Sequence, residues 1–228
     1  KAKLLVENGC ILSDDDIYWA VRNDNTNMLR WLLYIDAYPN AMDDYGLLIE
    51  ASRYGATQCI KLLLDMGAKV ETRRYVGDTA ISSAQNSEIV RLLANAGEDI
   101  NFINTEGYSI LRSATEDANL SMVRDLLKIG ADPNVSHLGE TALWTAVKND
   151  YYQIVKVLLD NGADPNFSTI DEWYPLQSAK TSEIVELLLN SGANPLKQDS
   201  LGRFASEYHD DSAIISILKR AERKRNRK

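Results

Sequence analysis

Two kinds of apolar block alternate along the chain. The longer kind carries a one-sided stripe. In Ile154-Val-Lys-Val-Leu-Leu-Asp-Asn-Gly162, residues Val155, Leu158 and Leu159 fall at i, i+3 and i+4 and share one face of a helix. Ile89-Val-Arg-Leu-Leu-Ala-Asn-Ala-Gly97 and Val123-Arg-Asp-Leu-Leu-Lys-Ile-Gly130 repeat it, each stopping at a glycine. The shorter kind is an octet that closes on alanine, as in Gly77-Asp-Thr-Ala-Ile-Ser-Ser-Ala84, Gly107-Tyr-Ser-Ile-Leu-Arg-Ser-Ala114 and Gly139-Glu-Thr-Ala-Leu-Trp-Thr-Ala146. Each octet predicts a short helix, and the block after it predicts its longer partner.

The pairs recur with a nearly constant period. Ala20, Ala51, Ala84, Ala114, Ala146 and Ala179 are equivalent, spaced 31, 33, 30, 32 and 33 residues apart. Such a period means copies of one supersecondary unit that bury their faces on one another. Thr79, Ser109 and Thr141 are placed to cap the first helices, each hydroxyl accepting a free backbone N–H. The small alanine lets neighbouring first helices lie close. Gly9, Gly67, Gly97, Gly130, Gly162 and Gly192 each follow a second helix, where the chain turns left-handed. Gly77, Gly107, Gly139 and Gly202 mark the turn before the next cap. Glycine here punctuates turns and does not cradle phosphate.

These octets, blocks and the continuations Gly130-Ala-Asp-Pro-Asn134, Gly162-Ala-Asp-Pro-Asn166 and Gly192-Ala-Asn-Pro195 together resemble the ankyrin repeat. The resemblance runs from about Lys1 to Ala221. It implies an all-α, right-handed solenoid of stacked antiparallel helix pairs joined by short hairpin or turn fingers. Residues 1–9 are then a half unit whose beginning is missing, as in a trimmed chain. Helix pairs follow at about 14–36, 46–67, 79–97, 109–130, 141–162 and 174–192. A C-terminal cap at 204–221 and a basic tail at 222–228 complete a single domain.

Departures from the family pattern carry expectations too. Its usual histidine three residues after the cap is replaced by Tyr18, Ile49, Ser82, Arg112, Trp144, Gln177 and Glu207, which predicts that the interrepeat histidine bonds are absent. The cap is lost at Gly46, Tyr174 and Phe204, and Asp36 stands for a helix-ending glycine. A less stable stack is expected. Around Ala84 and Ala179 three residues are missing between the paired helices, so each of those repeats should leave a notch. In the last repeat Ser206, Glu207 and His209 give the outer face the polarity a terminal repeat needs.

Composition narrows the function. The 228 residues are 45% hydrophobic and 25% charged, enough for a sizeable core. No apolar run approaches the roughly 18 residues that span a bilayer, and the N-terminus does not resemble a signal peptide. Two cysteines fit a reducing compartment, so a cytoplasmic protein is expected, with nuclear import through the basic tail as the variant. Two histidines, His137 and His209, lie more than two repeats apart and cannot share a metal. No phosphate loop, metalloprotease motif, Cys-x-x-Cys or nucleophile elbow occurs. The expectation is no enzyme, no cofactor and no metal site.

Charge and aromatics point to a macromolecular partner. Net charge is −8 overall, but residues 219–228 hold seven Lys/Arg and one Glu, leaving −14 on the rest. An acidic body repels nucleic acid and anionic membrane and attracts basic proteins. By the family likeness, the partner meets the fingers and first helices on the inner curve. The candidate residues are Asp43, Asp44, Tyr45, Tyr75, Tyr108 and Trp173 in the fingers, with Tyr18, Trp19, Arg112, Glu116, Asp117, Trp144 and Lys148 along the first helices. Arg53 and Tyr54 join them at an inter-helix loop. Asp24 and Glu50 add to an acidic face in the first half. The expected function is a protein-binding adaptor or inhibitor, monomeric by itself, that grips a basic protein. One narrower version neutralises a nucleic-acid-handling enzyme. The alternatives are nucleic-acid association through the tail, or the targeting domain of a larger enzyme.

Overall fold

The computed structural model describes residues 14–35, 46–70 and 77–226; the expected half unit at 1–9 and Asp36 lie outside them. The chain divides into two compact bodies, up to Ile100 and from Asn101 onward. The first contains α1 (Asp14–Arg22), α2 (Thr26–Ile35), α3 (Leu47–Arg53), α4 (Thr57–Asp65) and α5 (Ser87–Asn95). The second contains α6 (Ile110–Glu116), α7 (Leu120–Ile129), α8 (Ala142–Lys148), α9 (Tyr152–Asp160), α10 (Pro175–Ser178), α11 (Ser182–Asn190), a 3-10 turn (Ala205–Glu207) and α12 (Ser212–Arg225). Among the described residues there are no strands, only the isolated bridges His137–Glu140 and Gln198–Phe204 in fingers.

Within each body the pairs stack as the periodicity predicts. First helices pack on first helices (α1 on α3; α6 on α8 on α10), and second on second (α2 on α4 on α5; α7 on α9 on α11 on α12). The stripes become the core: Leu29, Ile60, Leu63, Ile89 and Leu93 in one body, Leu126, Leu143, Val155 and Leu158 in the other, all almost fully buried. The repeat alanines Ala20, Ala51, Ala146 and Ala179 have at most 1% of their surface exposed, where a larger side chain would push the helices apart.

The caps are more varied than the threonine pattern suggests. Ser109 and Thr141 accept from the backbone N–H groups of Arg112 and Trp144, opening α6 and α8. Thr79 is different. It forms a reciprocal box with Ser82, whose hydroxyl accepts from the Thr79 N–H at 2.9 Å, but residues 80–83 form turns and not the helix expected there. The other shortened repeat keeps only the four residues of α10. The reason is length: full repeats start their first and second helices ten residues apart (47 and 57, 110 and 120, 142 and 152) or twelve (14 and 26). In the shortened repeats only seven residues separate 80 from 87 and 175 from 182, which leaves no room for a two-turn helix and its connector.

The positions where histidine is missing are also put to use. Gln177 accepts from the Tyr174 N–H at 2.7 Å, and Glu207 from the Phe204 N–H at 2.7 Å, replacing the lost hydroxyl caps. Gln177 also donates to the Arg203 carbonyl of the next finger, and Arg112 pairs with Glu140 of the next repeat. Interrepeat hydrogen bonds are therefore made at these positions by other side chains, without the family histidine. Ser206, expected on a wettable outer face, is buried.

An asparagine ladder ties the second body together. Asn101, Asn134 and Asn166 each accept from a backbone N–H one repeat on, at Asp132, Asp164 and Asn194, over 2.7–2.9 Å. Asn134 and Asn166 also donate to the carbonyls of Gly162 and Gly192. This is the physical content of the Gly-Ala-Asp-Pro-Asn motif. The aspartate closes a local turn, accepting from the asparagine's own N–H, and the asparagine fastens the next loop.

Candidate functional site

The first helices expose little of themselves. On α3, Leu47 to Ser52 are all buried, and on α8 only Trp144 and Lys148 reach the surface. What remains is a row at the C-terminal ends of these helices. Arg22, Arg53, Glu116 and Lys148 each lie two residues past the repeat alanine, a register always filled by a charge in full repeats. Tyr54 and Asp117 follow in the connecting turns, both exposed.

In the first body this row is organised around an arginine that the sequence reading passed over. The Arg22 guanidinium sits 5.7 Å from the Tyr18 ring centroid and 5.1 Å from that of Tyr54, one repeat on. Such cation–π contacts contribute roughly 0.5–1 kcal/mol each at exposed sites and fix the rings in place. Trp19 and Tyr54 keep 54% and 49% of their surface open, unusually much for such large rings. Arg53 forms an ion pair with Asp78 at 3.5 Å. The acidity expected here is largely spent elsewhere. Asp24 accepts from the backbone N–H groups of Cys59 at 2.8 Å and Gln58 at 3.3 Å, capping α4 from the neighbouring repeat because Ala56 cannot. Glu50 is buried. The described part of this face is thus aromatic and cationic. Asp43, Asp44, Tyr45 and Tyr75 lie outside the described residues.

In the second body several expected contact residues turn inward. Arg112 is only 7% exposed. Its guanidinium lies over Tyr108 at 4.2 Å, donates to the Gly107 carbonyl at 3.1 Å and pairs with Glu140. It welds two fingers together, which a periodicity argument cannot foresee. Trp173 donates from its indole N–H to Ser178 at 2.6 Å and meets Tyr208 of the cap edge to face at 4.5 Å. Trp144 is half-buried with the Lys148 ammonium 4.7 Å above its ring. Glu116, Asp117 and Lys148 stay exposed.

The fingertips supply what the first helices do not. Leu138, Ile170 and Leu201 occupy successive tips with 56%, 67% and 71% of their surface exposed. The Ile170 N–H donates to the Leu138 carbonyl at 3.1 Å, so the first two are joined in register. Gly139 makes this stacking possible: at φ +80° it lets the next finger's backbone lie where a Cβ would overlap the Ser168 carbonyl oxygen and Thr169 Cα. An aliphatic residue beside each turn was the available signal, but a single exposed Leu or Ile means little until the fingers are seen to align.

Among the described residues, four groups are shifted from their ordinary pKa values, all by their structural surroundings. Burial, reinforced by the hydrogen bond and charge of Asp24, pushes the Cys59 thiol up to about 12, so it stays a neutral core side chain. Glu98 stands where other repeats have alanine. Burial raises its carboxyl, against opposing hydrogen bonds from the Ile81 N–H at 2.9 Å, Thr79 and the Ala80 N–H. At Asp199 burial also acts upward, but donation from Tyr208 and from the N–H groups of Arg203 and Leu201 outweighs it and the pKa falls. Burial and that same carboxylate raise the Tyr208 hydroxyl. None of these groups faces a shielded cleft.

Comparison with known proteins identifies the repeat. The family profile "Ankyrin repeats (3 copies)" matches residues 17–104, 48–137, 75–169 and 111–199 in overlapping registers. The chain belongs to the ankyrin-repeat family. The B-cell lymphoma 3 protein homolog of Mus musculus is 33% identical over 146 residues, 59% of this chain and 33% of that protein. The mitochondrial disaggregase of Bos taurus is 33% identical over 195 residues, 82% of this chain and 24% of that protein. The crystal structure of the Bcl-3 ankyrin repeat domain superposes with a TM-score of 0.71 at 28% identity, covering 82% of this chain and 90% of that one. This ankyrin-repeat chain therefore spans a third or less of the length of these two curated relatives, while matching a solved repeat domain almost end to end. Among its described residues no helix is long and apolar enough to cross a membrane.

Proposed function

We propose that this ankyrin-repeat chain is a non-enzymatic protein-binding module, an adaptor or inhibitor. It engages its partner through the Trp19–Arg22–Tyr54 patch on the first body and the Leu138–Ile170–Leu201 fingertips on the second. The observation that carries the reading is the half-open Tyr54 ring held against the Arg22 guanidinium, with the exposed Trp19 three residues before that arginine on the same helix. Trp, Tyr and Arg are the residues that most often dominate binding energy, and here Arg22 and Tyr54 restrict each other's rotamers before a partner arrives. The net −14 on residues 1–218, with Glu116 and Asp117 open on the surface, favours a partner with a basic surface. Arg22 and Arg53 offer that same partner local carboxylate contacts. Association as an enzyme's targeting domain draws support only from the disaggregase relative, of which the chain covers 24%.

The test begins with a partner captured by the full chain and then titrated as a purified protein. Trp19→Ala/Tyr54→Ala should weaken binding at least ~10-fold, as expected when anchors worth over about 1.4 kcal/mol are removed. Tyr152→Ala, which removes another exposed ring but on a second helix, should change it less than about twofold. Unchanged affinity in the double variant would overturn the assignment.

A further inference from the structure

The end of the second body carries a cleft that no first helix or finger shares. Helix α12 is five residues longer than α11, and the two helices together line a hollow of about 780 Å³. Its α11 wall is Glu186, Leu189 and Asn190, an i, i+3, i+4 set on one helical face. Its α12 wall is Ile217, Arg220, Ala221, Lys224 and Arg225, spaced i, i+3, i+4, i+7 and i+8. Ala193 and Pro195, both buried, close the bottom. The floor is apolar. The rim has three cations against one carboxylate, on a protein that is otherwise strongly acidic.

We propose that this cleft is a second docking site, which takes an acidic amphipathic helix from a protein partner. Two helical faces lining one open hollow offer a groove into which a third helix can pack, with anchors at i, i+3, i+4 and i+7. Leu189, Ile217 and Ala221, the partly exposed apolar residues of the two walls, would receive the anchors. Arg220, Lys224 and Arg225 would meet carboxylates on the helix's flanks, where charge complementarity steers encounter and fixes register. Nucleic acid fits less well: its phosphates gain from the cations, but Glu186 opposes them and the apolar floor has nothing to pair with. The cation pattern also separates two populations. Lys219 and Arg223 are exposed on the same helix yet outside the cleft. They carry equal charge without its geometry.

Fluorescence anisotropy on the full chain tests this with a 16-residue labelled peptide carrying Leu at i, i+3, i+4 and i+7 and Glu elsewhere. The peptide should bind, and Arg220→Glu/Lys224→Glu should weaken it at least tenfold. The charge-matched Lys219→Glu/Arg223→Glu should weaken it less than threefold. All four positions are exposed, and circular dichroism will show both variants folded. The proposal is overturned if the peptide fails to bind, if both double variants weaken it equally, or if a scrambled peptide of the same composition binds as well. Tighter binding of a single-stranded oligonucleotide of equal charge would overturn it too. Because none of these residues belongs to the Trp19–Tyr54 patch or the fingertips, failure here leaves the proposed function standing.

Discussion

At the residue scale, the connector between paired helices in the full repeats needs one left-handed residue. Asp24, Gly55, Ala118 and Asp150 fill that place with φ of 49°, 69°, 52° and 62°. Ala118 is the ill-suited member, since a Cβ with no polar group in this region costs roughly 1 kcal/mol. It also leaves work undone. Asp24 caps a second helix in the next repeat and Asp150 accepts from the Thr181 hydroxyl at 3.0 Å, whereas α9 follows Tyr151 with no side-chain cap. Ala118→Asp should therefore stabilise the protein by about 0.5–1.5 kcal/mol through a new cap and a better-tolerated φ. A higher urea midpoint with an unchanged slope would show it; a lower midpoint would refute the interrepeat capping role.

At the element scale, the helices are held in stacks by apolar stripes but registered by loops. The asparagine ladder joins loops one repeat apart, and its members look interchangeable with any polar turn residue until their partners are known. Replacing Asn166 with alanine removes the bond from the Asn194 N–H at 2.7 Å and the one to the Gly192 carbonyl at 3.2 Å. The expected loss is roughly 1–2 kcal/mol. Hydrogen exchange should report faster opening at 192–196 before any change in α6 or α7. Repeat stability is close to a sum of nearest-neighbour terms, so the damage should stay local.

At the scale of the whole molecule, acid acts on the two bodies with opposite sign. Glu98 in the first body has a raised folded pKa. Its favourable contribution is complete below the unfolded carboxyl value near ~4.3 and is lost as pH rises through the folded value. Asp199 in the second body has a lowered one, so its contribution is present above ~3.9 and disappears as pH falls through the folded value. Glu98→Gln should consequently raise the urea midpoint at pH 7, with the advantage over the unmodified protein shrinking toward pH 4. Asp199→Asn should lower it at pH 7 and converge with the unmodified protein in strong acid. Reversal of either trend would mean that the residue's surroundings are not those described.

The sequence by itself determined the repeat: the period, the helix pairing, the buried alanines and the glycine turns all follow from local propensity and a stripe that each copy must bury on the next. It also pointed to Tyr18, Trp19, Arg53 and Tyr54 as surface residues of one face. Only the tertiary structure decided what each polar side chain at that face does. Asp24, Arg112 and Trp173 read as contact residues, yet Asp24 and Arg112 each satisfy a group in the adjoining repeat and Trp173 packs its ring on Tyr208 of the next. Arg22 and Ile170 drew no attention and Asn166 counted only as the end of a motif, yet one orders the aromatic patch, one arms a fingertip and one registers two loops. The physical reason is that stacking brings together residues about thirty positions apart. A hydrogen bond or ring contact across that distance depends on register and rotamer, neither of which is written in the spacing of apolar residues.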